Sequence, residues 1–155
     1  MSEFISAPGS SYFLHGFRTW NSYSSFQMFE PEMSCSLQLD GYTKPFRPFG
    51  VIISIEVGGL ITGFDQDVAS ILLDGQKMFG HHSISTNFNS YCEEEMSTLI
   101  NKTHKHRHNE LWVIADAIHI IGAYCIANTK DIVGVKAFRR ECQERKIELR
   151  SVPTT

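Results

Sequence analysis

The sequence lacks the features that would assign it to a membrane, a secretory route or a disulfide-rich class. No apolar run reaches the ~18 residues that a membrane helix requires. The N-terminus does not show the basic, apolar and small-residue order of a signal peptide. The four cysteines are widely spaced, without a CxxC pair, which favours free thiols in a reducing compartment. These absences predict a soluble, cytoplasmic protein without a membrane partner.

The chain also lacks an excess of basic charge. It carries 14 basic and 17 acidic residues, for a net charge of −3 with histidine neutral. A global positive field is therefore excluded, and any nucleic-acid binding must come from local patches. With 155 residues, of which 42% are hydrophobic and 20% charged, the composition is typical of one folded globular domain.

Aromatic residues are concentrated at the N-terminus. Residues 1–34 are rich in serine, yet their aromatic residues before the first cysteine include Tyr12, Phe13, Phe17, Trp20, Tyr23, Phe26 and Phe29. A disordered tail rarely carries so many large apolar side chains. We therefore expect residues 1–34 to form an aromatic extension packed on a body that spans residues 35–155.

Hydrophobic periodicity predicts the order of elements in that body. A hairpin of strands at 35–43 and 49–57 is followed by an insertion at about 58–77. The remaining predictions, in chain order, are a strand at 78–86, a helix from Asn87 or Asn89 to about Thr103, a strand at 110–114, helices at 117–124 and 132–146, and a strand at 147–152.

Four stretches in this order resemble the ribonuclease H-like superfamily: LDGYTKPFRPFGVII (39–53), STNFNSYCEEEMSTLI (85–100), ELWVIADAIHII (110–121) and VKAFRRECQERKIELRSVP (135–153). The resemblance implies an α/β fold with a mixed five-stranded sheet. In that fold three antiparallel strands precede a helix-strand-helix-strand succession, and helices cover the faces of the sheet.

The resemblance also implies a site built on carboxylates. Asp40 and Asp116 would lie side by side at adjacent strand ends, and Glu95, with Glu94 as the second choice, would reach over them from a helix. Carboxylates converging in this way suit Mg²⁺ or Mn²⁺, and paired ions would hydrolyse a phosphodiester bond. The implied function is a metal-dependent endonuclease that cuts the RNA strand of an RNA–DNA hybrid.

The chain departs from the family pattern after its last predicted strand. The fourth acidic residue of the family would follow Val152, where the sequence ends at Thr155. Asp131 and His119 are the accessory candidates within the chain, and a partner chain could instead supply the missing acid.

Basic residues near two predicted helices are candidates for contacting phosphates: Lys102, Lys105, Arg107, Arg139 and Arg140. Solvated helix surfaces would show the same residues. A zinc site is disfavoured, because adjacent His81 and His82 on a strand would point to opposite faces.

Three alternatives stay open. An exonuclease of the same superfamily would place an acidic residue two positions after Asp40, where this chain has Tyr42. A non-catalytic relative would keep the scaffold as a nucleic-acid-binding or protein-interaction module. A third possibility is a PIN-like ribonuclease, which would use Glu56, Glu94, Asp116 and Asp131.

Overall fold

A computed structural model describes residues 4–5, 7, 9–17, 32–39, 45, 47–64, 83–84, 99–101, 108–126 and 134–152. Within these ranges the chain forms nine strands and one complete helix. They are β1 (Phe4–Ile5), β2 (Tyr12–Gly16), β3 (Glu32–Gln38), β4 (Phe49–Glu56), β5 (Leu60–Phe64), β6 (Ser83–Ile84), β7 (Glu110–Ile114), β8 (Ile118–Ile126), α1 (Val135–Glu144) and β9 (Leu149–Val152).

A long antiparallel ribbon bent at its middle forms the frame of the molecule. β4 pairs with β8 and β5 pairs with β7, so the same two stretches of chain stay paired on both sides of the bend. Gly59 lies at the bend, where its carbonyl accepts a hydrogen bond from the Ile114 N–H at 2.8 Å. A Cβ on Gly59 would lie 2.3 Å from the Cβ of Ala117, so glycine lets the two chains approach here.

β3 joins the two halves of this ribbon. Its first residues, from Glu32 to Cys35, pair with β7, and residues 36–38 pair with β2, which itself pairs with β4. The strand order is β6-β5-β7-β3-β2-β4-β8-β9, with β1 paired to β4. β4 and β5 follow each other directly in the chain, although four pairings separate them in this order.

This order corrects the predicted hairpin of residues 35–43 and 49–57. β2, from the N-terminal aromatic segment, lies between β3 and β4 and hydrogen-bonds to both. The alternation of Phe13 and Leu14 explains this placement: Phe13 is 2% and Leu14 1% exposed, and they belong to different apolar clusters. A strand buried on both faces belongs in the interior of a sheet.

The helix predicted at 117–124 is also wrong, because residues 118–126 form β8. Only a 3-10 turn, Ala115–Ala117, separates β7 from β8. Three isoleucines, at positions 118, 120 and 121, favour extended backbone since branching at Cβ restricts the side chain in a helix. Pairing along β4 then satisfies the backbone groups of this strand.

The C-terminal elements agree with the prediction. β7 spans Glu110–Ile114 as expected, α1 lies inside the predicted helix at 132–146, and β9 lies inside the predicted strand at 147–152. α1 connects β8 to β9, which are parallel. Every other strand pairing in the described ranges is antiparallel. The protein is thus an α/β protein with a mixed sheet and few helices.

The main apolar core lies between the sheet and the inner face of α1. The ring of Phe138 packs against Phe17 and Phe49, with centroid distances of 5.9 Å and 5.0 Å. Val135 and Cys142, one helical turn to either side, are buried with it. In the part of the chain that the structure describes, no helix combines the length and apolarity needed to cross a membrane.

The predicted strand at 78–86 and helix ending near Thr103 are described only at Ser83–Ile84, which is a strand, and at residues 99–101, which are helical. The rest of both predictions lies outside the described residues.

Candidate nucleic-acid interface

The predicted carboxylate site falls largely outside the described residues. Asp40, Glu95 and Asp131 lie there, as does the alternative Glu94. Asp116 is described, and it is exposed in the 3-10 turn that follows β7. The predicted metal site therefore stays a prediction.

The strands that were expected to carry the two aspartates do not run parallel. β3 and β7 are antiparallel, with Glu32 opposite Ile114 and Cys35 opposite Leu111. Leu37, near the C-terminal end of β3, is held by the Asn109 side chain just before β7 begins. The C-terminal ends of β3 and β7 thus lie at opposite ends of their pairing, so the parallel direction expected from the resemblance is wrong, while Asp40 itself lies outside the described residues.

The accessory histidine contacts a carboxylate outside the ribonuclease H-like set, Glu56, which only the PIN-like alternative names. The Nε2 atom of His119 lies 3.1 Å from Oε1 of Glu56, across the β4–β8 pairing. The ring of Phe4 packs edge-on against the His119 ring at 5.2 Å. Within the described ranges, no three His, Cys, Asp or Glu side chains are grouped so that they could hold a metal ion.

The outer face of α1 is basic. Its inner residues are buried in the core, whereas Lys136, Arg139 and Arg140 are exposed. Residues three or four apart lie on the same side of a helix. These three cations, which we call the α1 basic face, therefore form one patch directed away from the core.

The region around α1 differs in charge from the rest of the protein. Residues 134–152 contain six basic and three acidic side chains, giving a net charge of +3. The rest of the chain, with eight basic and fourteen acidic residues, has a net charge of −6. Because screening limits exposed charges to about 10 Å at 0.1 M salt, a ligand near α1 would respond mainly to the local excess.

Several contacts hold this basic region in place. After α1, the N–H groups of Lys146 and Ile147 donate to the carbonyls of Gln143 and Cys142 at 3.2 Å and 2.9 Å. These two bonds form a Schellman motif, with Lys146 in the left-handed conformation at φ 56°. Further along, the Arg150 guanidinium lies over the Tyr12 ring, 4.4 Å from its centroid. The cations are thus carried by a packed unit of helix, turn and strand.

Sequence reasoning identified part of this surface. Arg139 and Arg140 were predicted, and both are exposed on α1. The other predicted phosphate contacts, Lys102, Lys105 and Arg107, lie outside the described residues. Arg150 was missed, although the charge contrast between residues 134–152 and the rest of the chain was a signal available in the sequence.

No family model matches the chain, and no curated protein or solved structure matches it significantly. Its function is therefore inferred from its own residues.

Proposed function

We propose that this protein is a non-catalytic module that binds the phosphate backbone of a nucleic acid through the α1 basic face. One observation carries the proposal: three exposed cations share one side of a helix that is anchored in the core, within a segment of net charge +3. Backbone contacts of this kind supply affinity that does not depend on base sequence.

The spacing of the cations suits a phosphate strand. Lys136 and Arg140 are four residues apart, or about 6 Å along the helix axis. Two nucleotide steps along one strand of B-DNA rise about 6.8 Å, so the two side chains match phosphates two positions apart. Arg139 adds a planar guanidinium, which can donate two parallel hydrogen bonds to a phosphate.

The directions of β3 and β7 favour a binding function over a cleavage function. Paired metal ions need carboxylates that converge within a few ångströms. The antiparallel pairing of β3 with β7 separates their C-terminal ends and gives no support to such convergence. Cleavage of the RNA strand of an RNA–DNA hybrid stays a prediction of the resemblance.

The proposal is tested by fluorescence anisotropy with labelled single-stranded RNA, an RNA–DNA hybrid and duplex DNA. We expect the logarithm of affinity to fall linearly with the logarithm of salt concentration between about 50 and 200 mM. In Arg140→Gln, loss of one phosphate contact would reduce this slope by about 0.7 for single strands and about 0.9 for duplex DNA.

Arg145→Gln is the matched control. It removes the same charge from the end of α1, where the Arg145 Nε already donates to Glu141 at 3.0 Å. We expect its salt slope to stay close to that of the unmodified protein. Unchanged affinity and slope in a Lys136→Gln, Arg139→Gln, Arg140→Gln triple variant would refute the proposal.

The same nucleic acids, incubated with Mg²⁺ or Mn²⁺, test the non-catalytic part of the proposal. We expect intact substrate on a denaturing gel. Cleavage that disappears in Asp40→Asn and in Asp116→Asn would make the protein a metal-dependent nuclease instead.

A further inference from the structure

A small cleft opens between β2, β3 and the start of β7. Its volume is about 170 Å³, and no residue of α1 lines it. The polar side chains around it come from segments far apart in sequence: His15, Ser34, Ser36, Arg47, His108 and Glu110. The cleft is therefore distinct from the α1 basic face.

The groups around the cleft favour an anion. The residues that line it include one arginine and two histidines but only one acidic residue, Glu110. This carboxylate accepts a hydrogen bond from the Trp112 indole Nε1 at 2.6 Å, which spreads part of its negative charge. Arginine is suited to planar, two-point recognition of a phosphate-type oxyanion, and serine hydroxyls can donate to the remaining oxygens.

The position of Arg47 depends on close packing beneath it. The Tyr124 hydroxyl donates to the Arg47 carbonyl at 3.0 Å. Burial raises the pKa of Tyr124, so its hydroxyl keeps its proton and remains a donor. A Cβ on Gly16 would lie 2.5 Å from the Arg47 Cβ, so a side chain there would displace the arginine.

The orientation of His15 is also set by the fold. Its Nδ1 lies 2.8 Å from the Ser34 carbonyl oxygen. Since a carbonyl can only accept, Nδ1 carries the hydrogen in this contact. The ring further packs edge-on against Phe17, with centroids 5.6 Å apart. The backbone of Arg47 and the ring of His15 are thus both held in place before any ligand binds.

The size of the cleft limits the ligand. Since a water molecule occupies about 30 Å³, the cleft has room for about six groups of that size. Pockets for larger organic ligands usually measure about 300–1,000 Å³. A tetrahedral oxyanion fits this volume, whereas a whole nucleotide exceeds it.

We infer that this cleft is a binding site for a phosphate group, either free phosphate or the terminal phosphate of a larger molecule. Arg47 binds the oxyanion, and the protonated ring of His15 donates to it from Nε2 on the neighbouring strand. The site does not depend on the proposed backbone binding by α1.

Titration calorimetry with inorganic phosphate on the full chain tests the inference, with chloride at equal ionic strength as the blank. We expect saturable binding at one site. Arg47→Gln should weaken it about tenfold or more, as expected for losing a charge-assisted hydrogen bond. Arg145→Gln, the charge-matched control at the end of α1, where the Arg145 Nε donates to Glu141, should stay within about twofold.

A second variant keeps the test decisive if Arg47→Gln does not fold. His15→Asn retains an amide donor near the Ser34 carbonyl but cannot become cationic, and it should weaken phosphate binding severalfold. Absence of saturable phosphate binding, or equal weakening by Arg47→Gln and Arg145→Gln, would overturn the inference.

Oligonucleotides with a 5′-phosphate or a 5′-hydroxyl distinguish the two sources of phosphate. Tighter binding of the phosphorylated form, lost in Arg47→Gln, would identify a terminal phosphate. Equal binding of both forms, together with saturable phosphate binding, would identify a free anion. Arg140→Gln reports on α1 in the same assay, so failure of one site can be distinguished from failure of the other.

Discussion

Replacing Lys146 by glycine should stabilise the protein, although it deletes a side chain and a charge. Lys146 ends α1 at φ 56°, a conformation in which a Cβ is crowded by the backbone. The N–H groups of Lys146 and Ile147 donate to the carbonyls of Gln143 and Cys142, and these two hydrogen bonds of the Schellman motif stabilise this conformation. Glycine is the usual residue at this position because it adopts the left-handed region freely.

The expected gain follows from two opposing effects. The left-handed conformation costs a residue with a Cβ about 1–2 kcal/mol. Against this, glycine gives the unfolded chain more conformational entropy, which lowers the free energy of unfolding by about 0.4–1 kcal/mol. The free energy of unfolding should therefore rise by about 0.5–1 kcal/mol. With a urea m-value near 2 kcal/mol/M, the midpoint should shift upward by about 0.3–0.5 M.

Urea unfolding followed by circular dichroism measures this shift, and Gln143→Gly is the control. Gln143 is exposed on α1 three residues earlier, where the backbone is right-handed helical. Glycine there should lower stability by about 0.5–1 kcal/mol. Glycine substitutions only three residues apart should thus change the free energy of unfolding in opposite directions. If Lys146→Gly is as destabilising as Gln143→Gly, the assigned helix ending is wrong.

Three further predictions concern the sheet and the core. Gly50→Ala should lower the free energy of unfolding by about 3 kcal/mol or more, because the new Cβ would lie 2.2 Å from the His15 carbonyl oxygen. The control is Gly122→Ala, where the nearest atoms to a new Cβ are at 3.6 Å. In the same urea titration it should change stability by less than about 0.5 kcal/mol. Asn109→Ala should lower the free energy of unfolding by about 2–4 kcal/mol. The Asn109 side chain accepts a hydrogen bond from the Leu37 N–H at 2.7 Å and donates one to the Leu37 carbonyl at 2.9 Å, and the variant loses both. A loss below about 1 kcal/mol in urea unfolding would contradict this. Burial raises the pKa of the Cys142 thiol from 9.0 to about 11. The folded state then retains a proton that the unfolded state has lost, so the free energy of unfolding should fall as pH rises from 9.0 to about 11. Cys142→Ala should show a smaller fall across that range, and an unchanged pH profile would refute the assignment.

The candidate site could be predicted from the sequence only where local pattern decides exposure. Helical spacing buries Phe138 and therefore exposes Arg139 and Arg140, as observed. The phosphate cleft has no such signal, because Arg47 and His15 are brought together by the β2–β4 pairing and by the space left at Gly16. The parallel direction expected for the strands that carry Asp40 and Asp116 was wrong for a related reason. Strand direction is a property of pairing rather than of either strand.

By itself, the sequence determined the elements whose stability is local or strongly patterned. The apolar run at 110–114, the amphipathic helix at 135–144 and the final strand follow from residue type and periodicity. Tertiary structure decided which strands are neighbours. It placed β2 from the aromatic N-terminal segment between β3 and β4, and it extended residues 118–126 along β4 in place of the predicted helix. The physical reason is that the hydrogen bonds of a strand join distant parts of the chain. The free energy that selects a strand's neighbour therefore comes from burial and pairing across the sheet, and these contacts cannot be read from one stretch of sequence.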